Sequence, residues 1–136
     1  MDYEQFENEM KSKYPKMFSQ PFGGFAIGKG WYPIIDSLCR QIQHHVEWKQ
    51  EQKEKYRRGS GCEQVVVLQI KEKFGGLRFY YRGGDDVVDG MVRMAESWAG
   101  HSCEECGNVG KHRGGGWIRT LCDLHDIKRQ EKMKED

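Results

Sequence analysis

Near the end of the chain, Cys103-Glu104-Glu105-Cys106 is followed by Cys122-Asp123-Leu124-His125, the pattern C-x2-C-x15-C-x2-H. No other feature constrains the fold as tightly. Each short pair can grip one ion from a single turn, and the intervening loop brings the two pairs together. Three thiols and an imidazole at this spacing predict one tetrahedral Zn2+ per chain, with Cys103, Cys106, Cys122 and His125 as ligands. Four protein donors leave no position for water or substrate, so the zinc is expected to be structural, standing in for a core too small to form in roughly 36 residues. Gly107 permits the sharp knuckle after the first pair. His101 and His112 lack the paired spacing and read as surface histidines. Cys39 and Cys62 stand apart from the motif, and the odd total of five cysteines argues against a disulfide framework and for a reducing compartment.

Ahead of this segment, 37% hydrophobic and 12% aromatic residues are too many for a disordered chain, although 32% are charged. A net charge of +1 gives no whole-molecule field for nucleic acid or acidic membranes, so any anion site must be local. The apolar runs are far shorter than the roughly 20 residues a membrane span needs, and the acidic start Met1-Asp2-Tyr3-Glu4 does not read as a secretory signal. A cytoplasmic protein is expected.

Tyr3, Phe6, Met10 and Tyr14 recur at helical spacing up to Pro15, and a longer helix starts near Trp31 with Pro33 in its first turn and Ile34, Ile35, Leu38, Cys39, Ile42 and Val46 as its apolar face. The β-branched run from Val65 reads as a strand that buries Val66, Leu68 and Ile70, turns at Phe74-Gly75-Gly76 and returns through Leu77–Arg82. Gly83 to Asp86 lead into a third helix, with Val87, Met91, Met94, Ala95 and Trp98 at helical spacing. Short strands over 109–113 and 117–120 and a helix over 126–133 complete the zinc segment. The expected fold is α+β: an α+β domain over 1–100, with helices packed on a β-hairpin, and a treble-clef-like zinc finger over 101–136 packed against it.

Alternation on the hairpin places Leu77, Phe79 and Tyr81 on one face, with Arg78, Tyr80 and Arg82 on the other beside Lys71 and Lys73. A face carrying Lys71, Lys73, Arg78, Tyr80 and Arg82 can pair with phosphate or carboxylate through its cations and stack a ring on Tyr80. Trp31 and Tyr32 are additional candidate walls. The competing explanation is that Lys and Arg on a two-stranded ribbon serve solubility and discourage edge pairing.

Gly23 to Lys29 matches G-x-x-x-x-G-K, but Gly30 stands where a phosphate loop needs Ser or Thr, and no strand precedes it. His44 and His45 are adjacent on a helix, point about 100° apart and read as polar surface. Cys39 reads as a small buried hydrophobe, and Cys62 as a loop thiol without an activating partner. The zinc segment has a faint likeness to zinc-stabilised HNH nucleases, yet its interval offers only His112 and no histidine-rich strand, so a degenerate nuclease is the weakest reading.

Gly30-Trp31-Tyr32-Pro33-Ile34-Ile35, the hairpin block Gln69–Tyr81, Met94-Ala95-Glu96 and the terminal CExCG and TLCxxH motifs together resemble a family of small uncharacterised bacteriophage and prophage proteins. The resemblance covers nearly the whole chain after residue 23. It implies a bacterial host cytoplasm and an accessory role in modulating host or defence machinery.

No catalytic constellation is legible, so the leading expectation is a non-enzymatic, zinc-stabilised binding protein. Its partner is a host protein or a small anionic ligand such as a nucleotide, and in the nucleotide case a homo-oligomer would close the pocket. A nucleic-acid-binding zinc finger is the alternative, but residues 101–136 carry seven basic and seven acidic side chains, and a neutral finger is a poor phosphate binder.

Overall fold

The structure, a computed structural model, describes residues 1–135. The elements in chain order are α1 (Tyr3–Lys13), β1 (Phe25–Ala26), a 3₁₀ turn (Lys29–Trp31), α2 (Tyr32–Tyr56), β2 (Val66–Lys73), β3 (Gly76–Arg82), α3 (Asp86–Ala99), β4 (Lys111–Arg113), β5 (Arg119–Leu121) and α4 (Asp123–Glu135). This is an α+β chain with one three-stranded sheet, ordered β1-β2-β3, and a separate β4-β5 ribbon. No described helix is long and apolar enough to cross a membrane.

Asp2 caps α1 by accepting from Gln5 N (2.8 Å), while Gln5 Oε1 accepts from Asp2 N (3.0 Å), so two otherwise orphaned N–H groups are satisfied at once. The helix stops before Pro15, whose ring disfavours the helical conformation of Tyr14. Phe6 and Met10 are buried, and the Phe6 ring stacks on Tyr32 at 3.9 Å. Along α2, Ile35, Leu38, Cys39, Ile42 and Val46 form the buried face, and Arg57 ends the helix in the left-handed region at φ 53°.

Strand β1 is absent from the sequence reading because two residues carry no periodicity. It pairs parallel to β2, with Phe25 opposite Ile70 and Ala26 opposite Lys71. The hairpin turn is tight: Lys73 pairs with Gly76, and the two residues between, Phe74 (φ 53°) and Gly75 (φ 80°), both take the left-handed conformation that matches the strands' twist.

The expected burial of Leu68 is overturned. The β2–β3 register shifts between Val67 and Gln69, and this bulge leaves Leu68 38% exposed while Val67 takes the core position. The face of α3 differs from expectation in part: Ala95 is buried and Met91 packs against the core as its spacing suggests, but three of the expected residues are not. Val88, Val92, Ala95 and Ala99 are buried, whereas Val87, Met94 and Trp98 are exposed, because small side chains suit the close packing of α3 on α2 and along β3. Glu96 Oε2 accepts from Phe79 N (2.9 Å), so α3 covers an outward N–H of β3.

The C-terminal segment docks through main-chain contacts. Trp31 Nε1 donates to Ser102 O (2.8 Å), Gly30 N to Glu104 O (2.8 Å) and Thr120 Oγ1 to Gly75 O (2.6 Å). Gly30 is the point of closest approach: a Cβ there would lie 2.2 Å from Cys103 O and 2.7 Å from Cys106 N. A Cβ on Gly28 would likewise collide with Glu104 O, so close backbone approach, not phosphate cradling, accounts for the second glycine of the G-x-x-x-x-G-K stretch and for Gly30 after it.

Candidate metal centre

The knuckle forms because Gly107, at φ 82°, lets its N–H reach back to Cys103 O (2.8 Å) while Cys103 N donates to Asn108 O (2.7 Å). On the other side, β5 delivers Cys122 to the start of α4. That helix begins at Asp123 rather than near Asp126, so His125 falls in its first turn. The structure thereby brings Cys103, Cys106, Cys122 and His125 together, with one donor atom from each within 4.8 Å of every other.

Cys106 Sγ lies 3.8 Å from Cys122 Sγ, and His125 Nδ1 lies 3.6 Å from Cys103 Sγ and 3.2 Å from Cys122 Sγ. The imidazole therefore presents Nδ1, as a helix-borne histidine three residues after a cysteine can. The His125 backbone N–H donates to Cys122 Sγ (3.4 Å), and this contact, the leading cause, lowers the Cys122 thiol to about 6. A thiolate is the form that ligates metal. This Cys3His cluster can hold a metal ion.

Around the cluster, side chains assigned no role in the sequence reading fix the segment. Arg113 donates to Leu121 O (3.1 Å), Asp123 (2.7 Å) and Asp126 (3.4 Å), tying β4 to the first turn of α4. Arg119 pairs with Glu105 (2.8 Å) and Glu104 (3.4 Å). Burial pushes the Glu104 carboxyl up, while the Gly28 N–H (2.8 Å) and Arg119 oppose that shift. Spacing gave no signal for these contacts, since Arg113 and Arg119 were only charges between the two ligand pairs.

The cationic hairpin face is assembled in part. Lys71 lies directly opposite Arg78, and Gln69 opposite Tyr80. The Lys71 ammonium sits 5.5 Å over the Tyr80 ring, and Arg78 Nη1 donates back to Leu77 O (3.2 Å). Lys73 lies at the turn, over the Phe74 ring at 5.8 Å, and Arg82 lies at the far end opposite Val66. Trp31 does not join them. It is fully buried with its indole N–H bonded to Ser102, so it is a core residue and not a ligand wall. Tyr32 is half-buried on Phe6 and lines a cavity with Cys106 and His125 whose walls include no hairpin residue.

A larger cavity, of about 890 Å³, opens beside β1, β5 and α4, with Phe25, Trp117, Lys128, Lys132 and Met133 among its walls. Its only sequence signal was the i, i+4 spacing of Lys128 and Lys132 on a helix.

Two other expectations change. His45 is not polar surface: its Nε2 lies 2.8 Å from Asp85 Oδ2 and its side chain is mostly shielded. Cys62 is buried beside the same carboxylate, and burial, then Asp85, push its thiol up to about 11. Cys39 is fully buried as expected, and burial raises its thiol too.

No family model, curated protein or solved structure matches the chain.

Proposed function

We propose that the chain is a zinc-stabilised binding protein that engages an acidic segment of a protein partner through the outer face of β2 and β3. Zinc at Cys103, Cys106, Cys122 and His125 is supported by the donor spacing. Bonds of about 2.3 Å to sulfur and about 2.0–2.1 Å to nitrogen, at tetrahedral angles, place two sulfurs about 3.8 Å apart and a sulfur and a nitrogen about 3.6 Å apart. The cluster's separations of 3.8, 3.6 and 3.2 Å are close to these before any ion draws the ligands in. With four protein donors the ion is coordinatively closed and its role is structural. The order of knuckle, β4-β5 ribbon and ligand-bearing helix supports a treble-clef-like arrangement.

The observation that carries the binding role is the Lys71–Arg78 pair. Like charges directly across a ladder are destabilising. Discouraging edge pairing does not account for Lys71: β2 is the central strand, flanked there by β1, whereas Arg78 lies on the edge strand β3, of which α3 covers the Phe79 N–H. A repulsive pair with one member, Lys71, on the central strand is relieved when an anion docks, which is an energetic reason for the face to bind carboxylates. Following the resemblance to phage proteins, the partner belongs among host or defence proteins.

The test is fluorescence anisotropy with a labelled polyglutamate peptide. Arg78→Glu turns the pair into an attractive one, expected to raise stability by about 0.2–1 kcal/mol while weakening peptide binding at least about tenfold. Unchanged affinity in the folded variant overturns the assignment of the face.

A second reading, a small anionic ligand, is favoured by the cavity that Lys128, Arg129, Lys132 and Arg119 line together with Glu72, Glu104 and Glu105, four cations against three carboxylates. It predicts a retained low-mass anion in native mass spectra that is lost in Lys128→Glu/Lys132→Glu and kept in Arg78→Glu.

A further inference from the structure

We propose that His45, Cys62 and Asp85 form a second metal site, built from three protein donors and distinct from the Cys3His cluster, that takes a zinc-class divalent cation. The donors come from three separate places: the third quarter of α2, the loop before β2, and the residue that caps α3. One atom from each lies within 4.8 Å of the others. Nothing in their chain spacing, 17 residues from His45 to Cys62 and 23 from Cys62 to Asp85, marks them as a motif. The fold alone makes them neighbours.

The donor set suits zinc. An imidazole, a thiolate and a carboxylate are its three common protein ligands, and their bonds of about 2.0–2.3 Å require donor separations of roughly 3.3–3.6 Å. His45 Nε2 and Asp85 Oδ2, now 2.8 Å apart, need to open by only about half an ångström to admit the ion. Asp85 is already oriented for this task. Its Oδ1 accepts from Val88 N (3.1 Å) at the start of α3, which leaves Oδ2 facing His45, the kind of outer hydrogen bond that aims a metal ligand.

Charge supports the same conclusion. The N-terminal end of α3 repels a cation, so a carboxylate alone is a poor site there. A carboxylate and a thiolate together neutralise a divalent ion, and Cys62 supplies the second negative charge by releasing its thiol proton to solvent as the ion binds. Cys62 is 4% exposed and the His45 side chain 12%, whereas Asp85 is 28% exposed, so the sheltered donors hold the ion while the carboxylate side faces solvent. Three protein ligands leave a fourth position for water or another small donor, in contrast to the closed C-terminal centre.

The experiment is native mass spectrometry of the full-length protein after equilibration with Zn2+ and removal of loose ion. Two equivalents are expected for the wild-type chain and one for Cys62→Ser and for Asp85→Asn. Asparagine keeps the cap on α3, so the Asp85 variant separates loss of the metal from loss of the helix. Cys122→Ser distinguishes the two centres. A second equivalent that survives both Cys62→Ser and Asp85→Asn, or a single wild-type equivalent that disappears only in Cys122→Ser, overturns the proposal. A single equivalent lost only in Cys62→Ser and Asp85→Asn upholds it and removes the C-terminal assignment instead. Cobalt substitution supplies an independent readout, because the sulfur-to-cobalt absorption of the wild-type protein should fall by the share of one thiolate in Cys62→Ser.

Discussion

Gly30→Ala should uncouple the C-terminal segment from the rest of the chain, although it adds a single methyl group. That methyl would lie 2.2 Å from Cys103 O, 2.6 Å from Glu104 O and 2.7 Å from Cys106 N. All three are main-chain atoms of the Cys103–Cys106 knuckle and cannot swing aside as a side chain would. Relief requires the Gly28–Trp31 loop to retreat by about an ångström, within the usual overpacking cost of about 1–3 kcal/mol. The retreat stretches three hydrogen bonds now at 2.8 Å: Gly30 N to Glu104 O, Gly28 N to the Glu104 carboxylate, and Trp31 Nε1 to Ser102 O. Loss of one or two of these adds about 1 kcal/mol each. The expected destabilisation is therefore about 2–5 kcal/mol, read as a lower urea midpoint by tryptophan fluorescence, with faster loss of metal to a chelator. The control is Gly90→Ala in α3. A methyl there meets nothing within 4 Å, so it should stabilise by about 0.8–1 kcal/mol through helix propensity alone. A Gly30→Ala protein within about 0.5 kcal/mol of wild type, with unchanged metal retention, would refute the reasoning.

Metal removal should melt α4 first. None of its 13 residues is buried, and a helix that short is marginal in water unless its start is anchored, so chelation or Cys122→Ser is expected to remove the α4 contribution to far-UV circular dichroism and leave the α1–α3 signal. At acid pH, Asp36 supplies a separable effect. Burial alone would raise its carboxyl, but hydrogen bonds from Lys13 (2.9 Å) and Tyr14 (2.7 Å) outweigh burial and hold it below its ordinary 3.8. Its stabilisation is complete above that ordinary value and lost as pH falls through the depressed one, so Asp36→Asn should flatten the fall of the urea midpoint between about pH 5 and pH 2. An unaltered acid limb would assign that loss to other carboxylates.

What was legible in the sequence follows from how local the determining physics is. The Cys103–Cys106 and Cys122–His125 pairs each act within one turn, so spacing alone located the Cys3His cluster that can hold a metal ion. The hairpin was legible because Phe74-Gly75-Gly76 separates two β-forming runs, and the turn depends on those residues. Burial within the hairpin was not. A period of two carries no mark of a one-residue bulge, and the register shift between Val67 and Gln69 exchanged Val67 for Leu68 in the core. The third helix has apolar residues on more than one face, and composition favoured the larger ones. Packing kept Ala95 and added Val88, Val92 and Ala99, because a closely approached neighbour rewards small volume over total hydrophobicity.

The misleading signals share a cause with the correct ones. Glycines in a G-x-x-x-x-G-K stretch resemble a phosphate loop because a phosphate-binding backbone must come within hydrogen-bonding distance of its ligand. The Gly28–Trp31 loop meets the same steric demand, but what approaches it is the Cys103–Cys106 knuckle, with Glu104 accepting from both Gly28 N and Gly30 N. Glycine therefore reports that something comes close to the main chain without saying what. His45 and Cys62 show the converse. Each read as unremarkable because the partner that gives it chemical meaning, Asp85, is distant in sequence and is brought beside both only when α3 starts against the second half of α2. A two-residue spacing can encode a ligand pair within one turn, but a donor set spread over three elements is written only in their packing.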